Sequence, residues 1–139
     1  MKKLAALREH LLTSVLKLNS EKLDTFAEGG TVTSYEGDTE AFRLTYEANI
    51  ILQDYAGDPI ALYLLFVEWL KTHNPTSPPD ALRFDVDILS EEKVDLGFQV
   101  ELTEDWLVTE EEGGKRLTLA PEPNYDPDSL TGFTDVSLD

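Results

Sequence analysis

The chain has 139 residues, 41% of them hydrophobic, which suits one domain with a core of its own and excludes wholesale disorder. It holds no cysteine, so a disulfide framework, a thiolate metal site and a cysteine nucleophile are excluded together, as expected of a protein made in a reducing cytoplasm. With 28 Asp and Glu against 11 Lys and Arg, the net charge of −17 opposes binding to nucleic acid or anionic lipid, because phosphate binding needs cations that release counterions.

Met1-Lys2-Lys3-Leu4 begins like a secretion signal, but Arg8, Glu9 and His10 interrupt any apolar stretch, so no signal peptide is read. Leu4, Leu7, Leu11, Val15 and Leu18 recur at three- and four-residue steps, widened by Leu12 and Leu16. That spacing predicts an amphipathic helix over 3–19, ended at Asn19-Ser20, whose stripe is a core face, the alternative being that part of it meets a partner subunit. Residues 1–19 carry Lys2, Lys3, Arg8 and Lys17 against Glu9, a balance of +3, which leaves −20 of the total −17 in the rest of the chain.

Two strands are expected over 22–36 and 41–55, around a turn at Gly37-Asp38-Thr39. Thr31, Val32, Thr33 and Tyr35 supply strand-forming side chains, and Gly29-Gly30 suggests a bulge. In the second run Phe42, Leu44, Tyr46, Ala48, Ile50 and Leu52 alternate with polar residues, so one face lies in the core. Asp58-Pro59 is the sharpest helix start in the chain, a capping acid followed by a proline at the first helical position. Leu62, Leu65, Phe66, Trp69 and Leu70 form the apolar face of this second helix. Lys71 and His73 sit where its dipole favours positive charge, and Asn74-Pro75 stops it. The apolar run from Ile60 to Val67 is too short to cross a bilayer.

Leu82, Phe84, Val86 and Ile88 alternate with Arg83, Asp85 and Asp87, and Val94 to Leu102 alternates in the same way. A hairpin connection, Ser90-Glu91-Glu92-Lys93, joins them. Trp106-Leu107-Val108 reads as a further short strand, Glu110 to Gly114 as a turn, and Arg116 to Leu119 as a last strand. From Pro121 the texture changes to an acidic, proline-containing tail. The chain thus divides into a single α+β domain over 1–120 and a flexible segment over 121–139. Helix, hairpin, helix, hairpin, strand predicts a mainly antiparallel sheet packed by two α-helices.

Chemistry is thinly represented. His10 and His73 have no spacing that makes them joint ligands and read as exposed helix residues. Gly29-Gly30 and Gly113-Gly114 lack both the spacing and the lysine of a phosphate loop. Asp85, Asp87 and, across the hairpin, Asp95 cluster carboxylates, which in a chain this acidic read as a solvated sheet face. No catalytic, cofactor or metal residues are assigned, and no enzyme activity is expected.

Three segments carry a family likeness. They are Lys3-Leu4-Ala5-Ala6-Leu7-Arg8, then Leu52-Gln53-Asp54-Tyr55-Ala56-Gly57-Asp58-Pro59, then Trp69-Leu70-Lys71-Thr72-His73-Asn74-Pro75. With Phe84-Asp85-Val86-Asp87-Ile88-Leu89 and Val94-Asp95-Leu96, they resemble the R tail completion proteins of temperate contractile-tailed phages, from about Lys2 to about Leu119. The resemblance implies a virion component, assembled in the host bacterial cytoplasm, that caps the head-proximal end of the tail. It also implies a fold similar to tail terminators and a ring-shaped, often hexameric, homo-oligomer whose partners are tail tube and head-tail connector proteins. Such a ring has heterologous interfaces, and Lys2, Lys3 and Arg8 are expected to pair with Glu110, Glu111 and Glu112 of the next subunit. The alternative is an acidic phage inhibitor that imitates DNA.

Overall fold

The structure is a computed structural model, and it describes residues 1–35, 37 and 40–120. The expected flexibility of 121–139, and the Asp38-Thr39 part of the expected turn, lie outside the described residues. The elements are α1 (Lys2–Leu12), β1 (Leu23–Tyr35), β2 (Ala41–Tyr55), α2 (Pro59–His73), β3 (Arg83–Ile88), β4 (Val94–Glu111) and β5 (Gly114–Leu119), with a short 3-10 turn at Ser20–Lys22. All strand pairs are antiparallel, and the sheet order is β1-β2-β4-β3 with β5 also on β4. This is the expected α+β architecture, dominated by its sheet.

The alternation in β2 and β4 dictates the core. Tyr46, Ala48, Ile50 and Leu52 of β2 and Leu96, Phe98, Val100 and Leu102 of β4 are buried on one face. Leu4, Leu7 and Leu11 of α1 and Leu62, Phe66, Trp69 and Leu70 of α2 close over that face. Phe66 stacks on Phe98 with ring centroids 4.2 Å apart. The α2 start is as read: the Asp58 carboxylate accepts the Ile60 N–H at 2.9 Å, with Pro59 opening the helix. The Gly29-Gly30 signal is also realised, as a register shift between Glu28 and Thr31 with Gly29 at φ +52°.

Three expectations are corrected. The first helix ends at Leu12, not at 19. The Thr13 N–H still donates to the Glu9 carbonyl at 2.9 Å, but the Ser14 N–H turns to the Leu11 carbonyl at 3.4 Å. The Thr13 and Ser14 hydroxyls donate to the same two carbonyls at 2.8 Å, so helical bonding gives way to local turns. Lys17 then takes φ +53° and Val15 is left 90% exposed, while Leu16 and Leu18 still pack on the core. Secondly, the expected strands over 94–102 and 106–108 are one 18-residue strand, because alternation continues unbroken through Glu104. Thirdly, Glu110 and Glu111 belong to β4, and the turn is only Glu112-Gly113, with Gly113 at φ +88°.

β4 carries β2 along most of one side. On its other side β3 pairs with residues 94–99 and β5 with residues 106–111. The interval between β3 and β5 is filled by a side chain. Asn74, which terminates α2, accepts the Thr103 N–H at 3.2 Å through Oδ1 and donates through Nδ2 to the Glu101 carbonyl at 3.2 Å. Its amide therefore takes the place of a strand residue and satisfies a backbone donor and acceptor that the sheet leaves over.

Candidate docking surfaces

The expected basic set does not stay together at the surface. Lys2 is exposed. Lys3 is buried, because residues 3, 7 and 11 share one helix face, and its ammonium donates to Asn74 Oδ1 at 3.0 Å. Arg8 is half-buried and donates to the Leu23 carbonyl at 2.6 Å, which ties α1 to the start of β1. The acidic set stands at the β4–β5 hairpin tip, all three residues exposed. Glu110 pairs with Lys115 at 3.5 Å and Glu111 with Arg116 at 2.8 Å, so the hairpin supplies counter-charges from its own second strand.

Under α1 lies a polar constellation that the sequence reading missed. Glu104 is 1% exposed, on the core face of β4. One of its oxygens accepts the Tyr46 hydroxyl at 2.6 Å and the Lys3 backbone N–H at 2.9 Å, and the other accepts Trp106 Nε1 at 3.2 Å. The Leu4 N–H donates in turn to the Tyr46 oxygen at 3.2 Å. Burial first, then the bond to Glu104, raise the Tyr46 hydroxyl far above its ordinary pKa, so it stays a donor. The constellation docks the α1 N-terminus, whose first amides have no partners within the helix, onto the sheet. A signal existed: Glu104 falls in phase with Val94, Leu96, Phe98, Val100, Leu102 and Trp106, where a solvated acid has no place.

Of the two histidines, His73 is exposed as expected, and only His10 departs from expectation. His73 packs against Trp69 at 5.0 Å, and burial, then His10, then Lys3 lower its pKa. His10 is half-buried, with Nε2 enclosed and without a hydrogen-bond partner among the described residues. Across the β3–β4 hairpin, Asp87 stands opposite Asp95, whose carboxylate accepts the Asp54 N–H at 2.9 Å. Among the described residues no group of three or more His, Asp or Glu is placed to hold a metal ion.

An open cleft of about 600 Å³ lies between residues 16–19 and the β2–α2 connection. Lys17, Lys22 and Lys93 line it together with Asp54, and Asp54, at φ +53°, pairs with Lys22 at 3.0 Å. A more apolar surface lies on the far side of α2. The ring of Tyr63 sits 4.7 Å from that of Phe84, which places α2 beside β3. Phe84 (51% exposed), Val86 and Ile88 (73%) on β3 are left exposed, as are Ile60 (68%) and Val67 on α2. Beyond β3 the sheet has no further strand among the described residues. The opposite edge, β1, is exposed from residue 26 onward.

Open strand edges, a charged hairpin tip and an apolar helix–strand surface are the working parts of a small α+β structural protein, one that acts through faces and edges. The chain matches the family described as P2 phage tail completion protein R (GpR) over residues 1–123, and it belongs to that family. It is 28% identical over 116 residues to tail completion protein R of Escherichia phage P2, a match that covers 79% of this chain and 75% of that protein. No solved structure matches it. The chain is thus a phage tail completion protein, as the resemblance implied, and imitation of DNA is not favoured. No helix among the described residues is long and apolar enough to cross a membrane.

Proposed function

We propose that this protein completes the tail by binding at its head-proximal end, where residues 1–120 act as one domain, without catalysis, to prepare the tube for the head. The observation that carries the reading is family membership across residues 1–123. On this reading the protein contacts tail tube and head-tail connector proteins, assembles in the bacterial cytoplasm and remains in the virion. Its copies close into a ring, with different patches of neighbouring subunits in contact. For that contact, the pairing of basic Lys2, Lys3 and Arg8 with Glu110, Glu111 and Glu112 now rests mainly on Lys2 and Glu112, since the others already have intramolecular partners. Deleting the gene from an inducible phage and imaging the particles tests the reading. Full heads beside unjoined tails, or tails of uncontrolled length, are the expected result, and normal infectious virions would overturn it.

A further inference from the structure

The geometry points to the groove between α2 and the free edge of β3 as the docking site for an extended segment of a different protein, apolar on one face and basic on the other. The segment adds to the sheet as a strand beside β3. This deepens the docking role proposed above and rests on it.

The inference begins with the edge itself. Among the described residues β3 pairs only with β4, so one row of its backbone N–H and C=O groups points away from the sheet, and all six of its residues are exposed. Such an edge is a template for another strand unless something blunts it; β3 contains no proline and no lysine, and its charged residues, Arg83, Asp85 and Asp87, lie on the face opposite Phe84, Val86 and Ile88. Alternation then fixes what the incoming strand must look like. Phe84, Val86 and Ile88 share the core-side face with their partners Phe98, Leu96 and Val94, so alternate residues of an added strand would lie over them. That side is walled by α2, where Ile60 and Val67 continue the helix's apolar surface past Tyr63 and stay exposed. Apolar residues in the added strand would cover both walls.

The other face carries Asp85 and Asp87. Arg83, at the start of the strand, is held by Glu47 at 3.4 Å, while neither aspartate has a cation partner among the described residues. Side chains placed directly across from them are favoured when basic and penalised when acidic. The net charge of −17 draws a basic segment toward the surface from a distance.

The same arithmetic disfavours this chain as its own occupant. A second β3 would set aspartates against aspartates, and β1 brings Asp24 and Glu28. Residues 121–139 include Glu122, Asp126, Asp128, Asp135 and Asp139 and no Lys or Arg. β5 has the right apolar side chains in Leu117 and Leu119, but its Lys115 is engaged by Glu40 and Glu110 and its Arg116 by Glu111. The segment therefore comes from another protein.

The probe is a synthetic peptide of β3's six-residue length, alternating valine and lysine, titrated into the full chain. One control replaces lysine by glutamate, and another groups the same valines and lysines in blocks. Binding with slowed amide exchange in β3, weakening with added salt and about tenfold or more tighter than either control, is the expected result. The double variant V86D/I88D, at two exposed positions, should abolish binding with the melting temperature kept. If that variant fails to fold, Ile60→Asp reads the same groove from the helix side. Equal binding of the blocked control, binding undiminished by these variants, or self-association of the chain that V86D/I88D removes would each overturn the inference. Particle imaging separates this failure from the other: V86D/I88D phage with normal tails sink the groove alone, whereas normal virions from the gene deletion sink the tail-completion reading.

Discussion

At the scale of single residues, the sheet side of α1 depends on one buried acid. Glu104 satisfies a phenol, an indole and a backbone amide at once, and its removal leaves two buried donors and one half-buried donor without that acceptor. Leaving one such group unmade costs about 1–3 kcal/mol, so Glu104→Ala is expected to lose roughly 3 kcal/mol or more, measured by urea unfolding. A loss under roughly 1 kcal/mol would show that the constellation does not anchor the helix. His73 gives a second handle, through pH. Its folded pKa is lowered from 6.5, so the neutral ring is the form that folding favours. The sign follows: its contribution is fully present above that unfolded value and is lost as pH falls through it toward the folded one. Melting temperature should fall more steeply below pH 6.5 in the wild type than in His73→Gln, and parallel curves would contradict this. The sequence hid Glu104 because a glutamate's usual place is solvent and only its contacts show otherwise, whereas His73 is exposed as expected and its neighbours alone were illegible.

Among the elements, those with strict periodicity were legible and those closed by side chains were not. β2, α2 and β3 fall within a residue of their expected bounds because alternation and the Asp58-Pro59 start act locally. α1 was overextended because its apolar spacing continues through Val15 and Leu18, whereas Thr13 and Ser14 end the helix by bonding backward. β4 is one strand where two are expected, over 94–102 and 106–108, and the buried Glu104 lies in the interval between them. Asn74 was read only as a helix stop, yet it also bridges the interval between β3 and β5. Nothing local signals that second task, since it depends on two strands meeting one partner far along the chain. Asn74→Ala should strand the Thr103 N–H and the Glu101 carbonyl and cost about 2–4 kcal/mol. Amide exchange at Thr103 should rise more than at Val100, deep in the core. Equal changes at both positions would mean the bridge has no local effect.

For the whole molecule, the fold class could be read from element order and the family from short segments spread over the chain, but the candidate surfaces could not. Charge counting nominated Lys2, Lys3 and Arg8 as a basic edge, and three-dimensional packing drew Lys3 into the interior and tied Arg8 to a carbonyl. Alternation puts Phe84, Val86 and Ile88 on one face of a strand, but it does not say whether anything covers that face. The edge position of β3 leaves them uncovered. The molecule that results is strongly acidic, with a close-packed core and exposed strand edges at its margins. The place proposed for the protein is one end of the tail, and immunogold labelling of purified intact tails tests that placement most directly. Label confined to the end that joins the head is the predicted result. Label along the tube, at the baseplate end, or absent from the particles would contradict it.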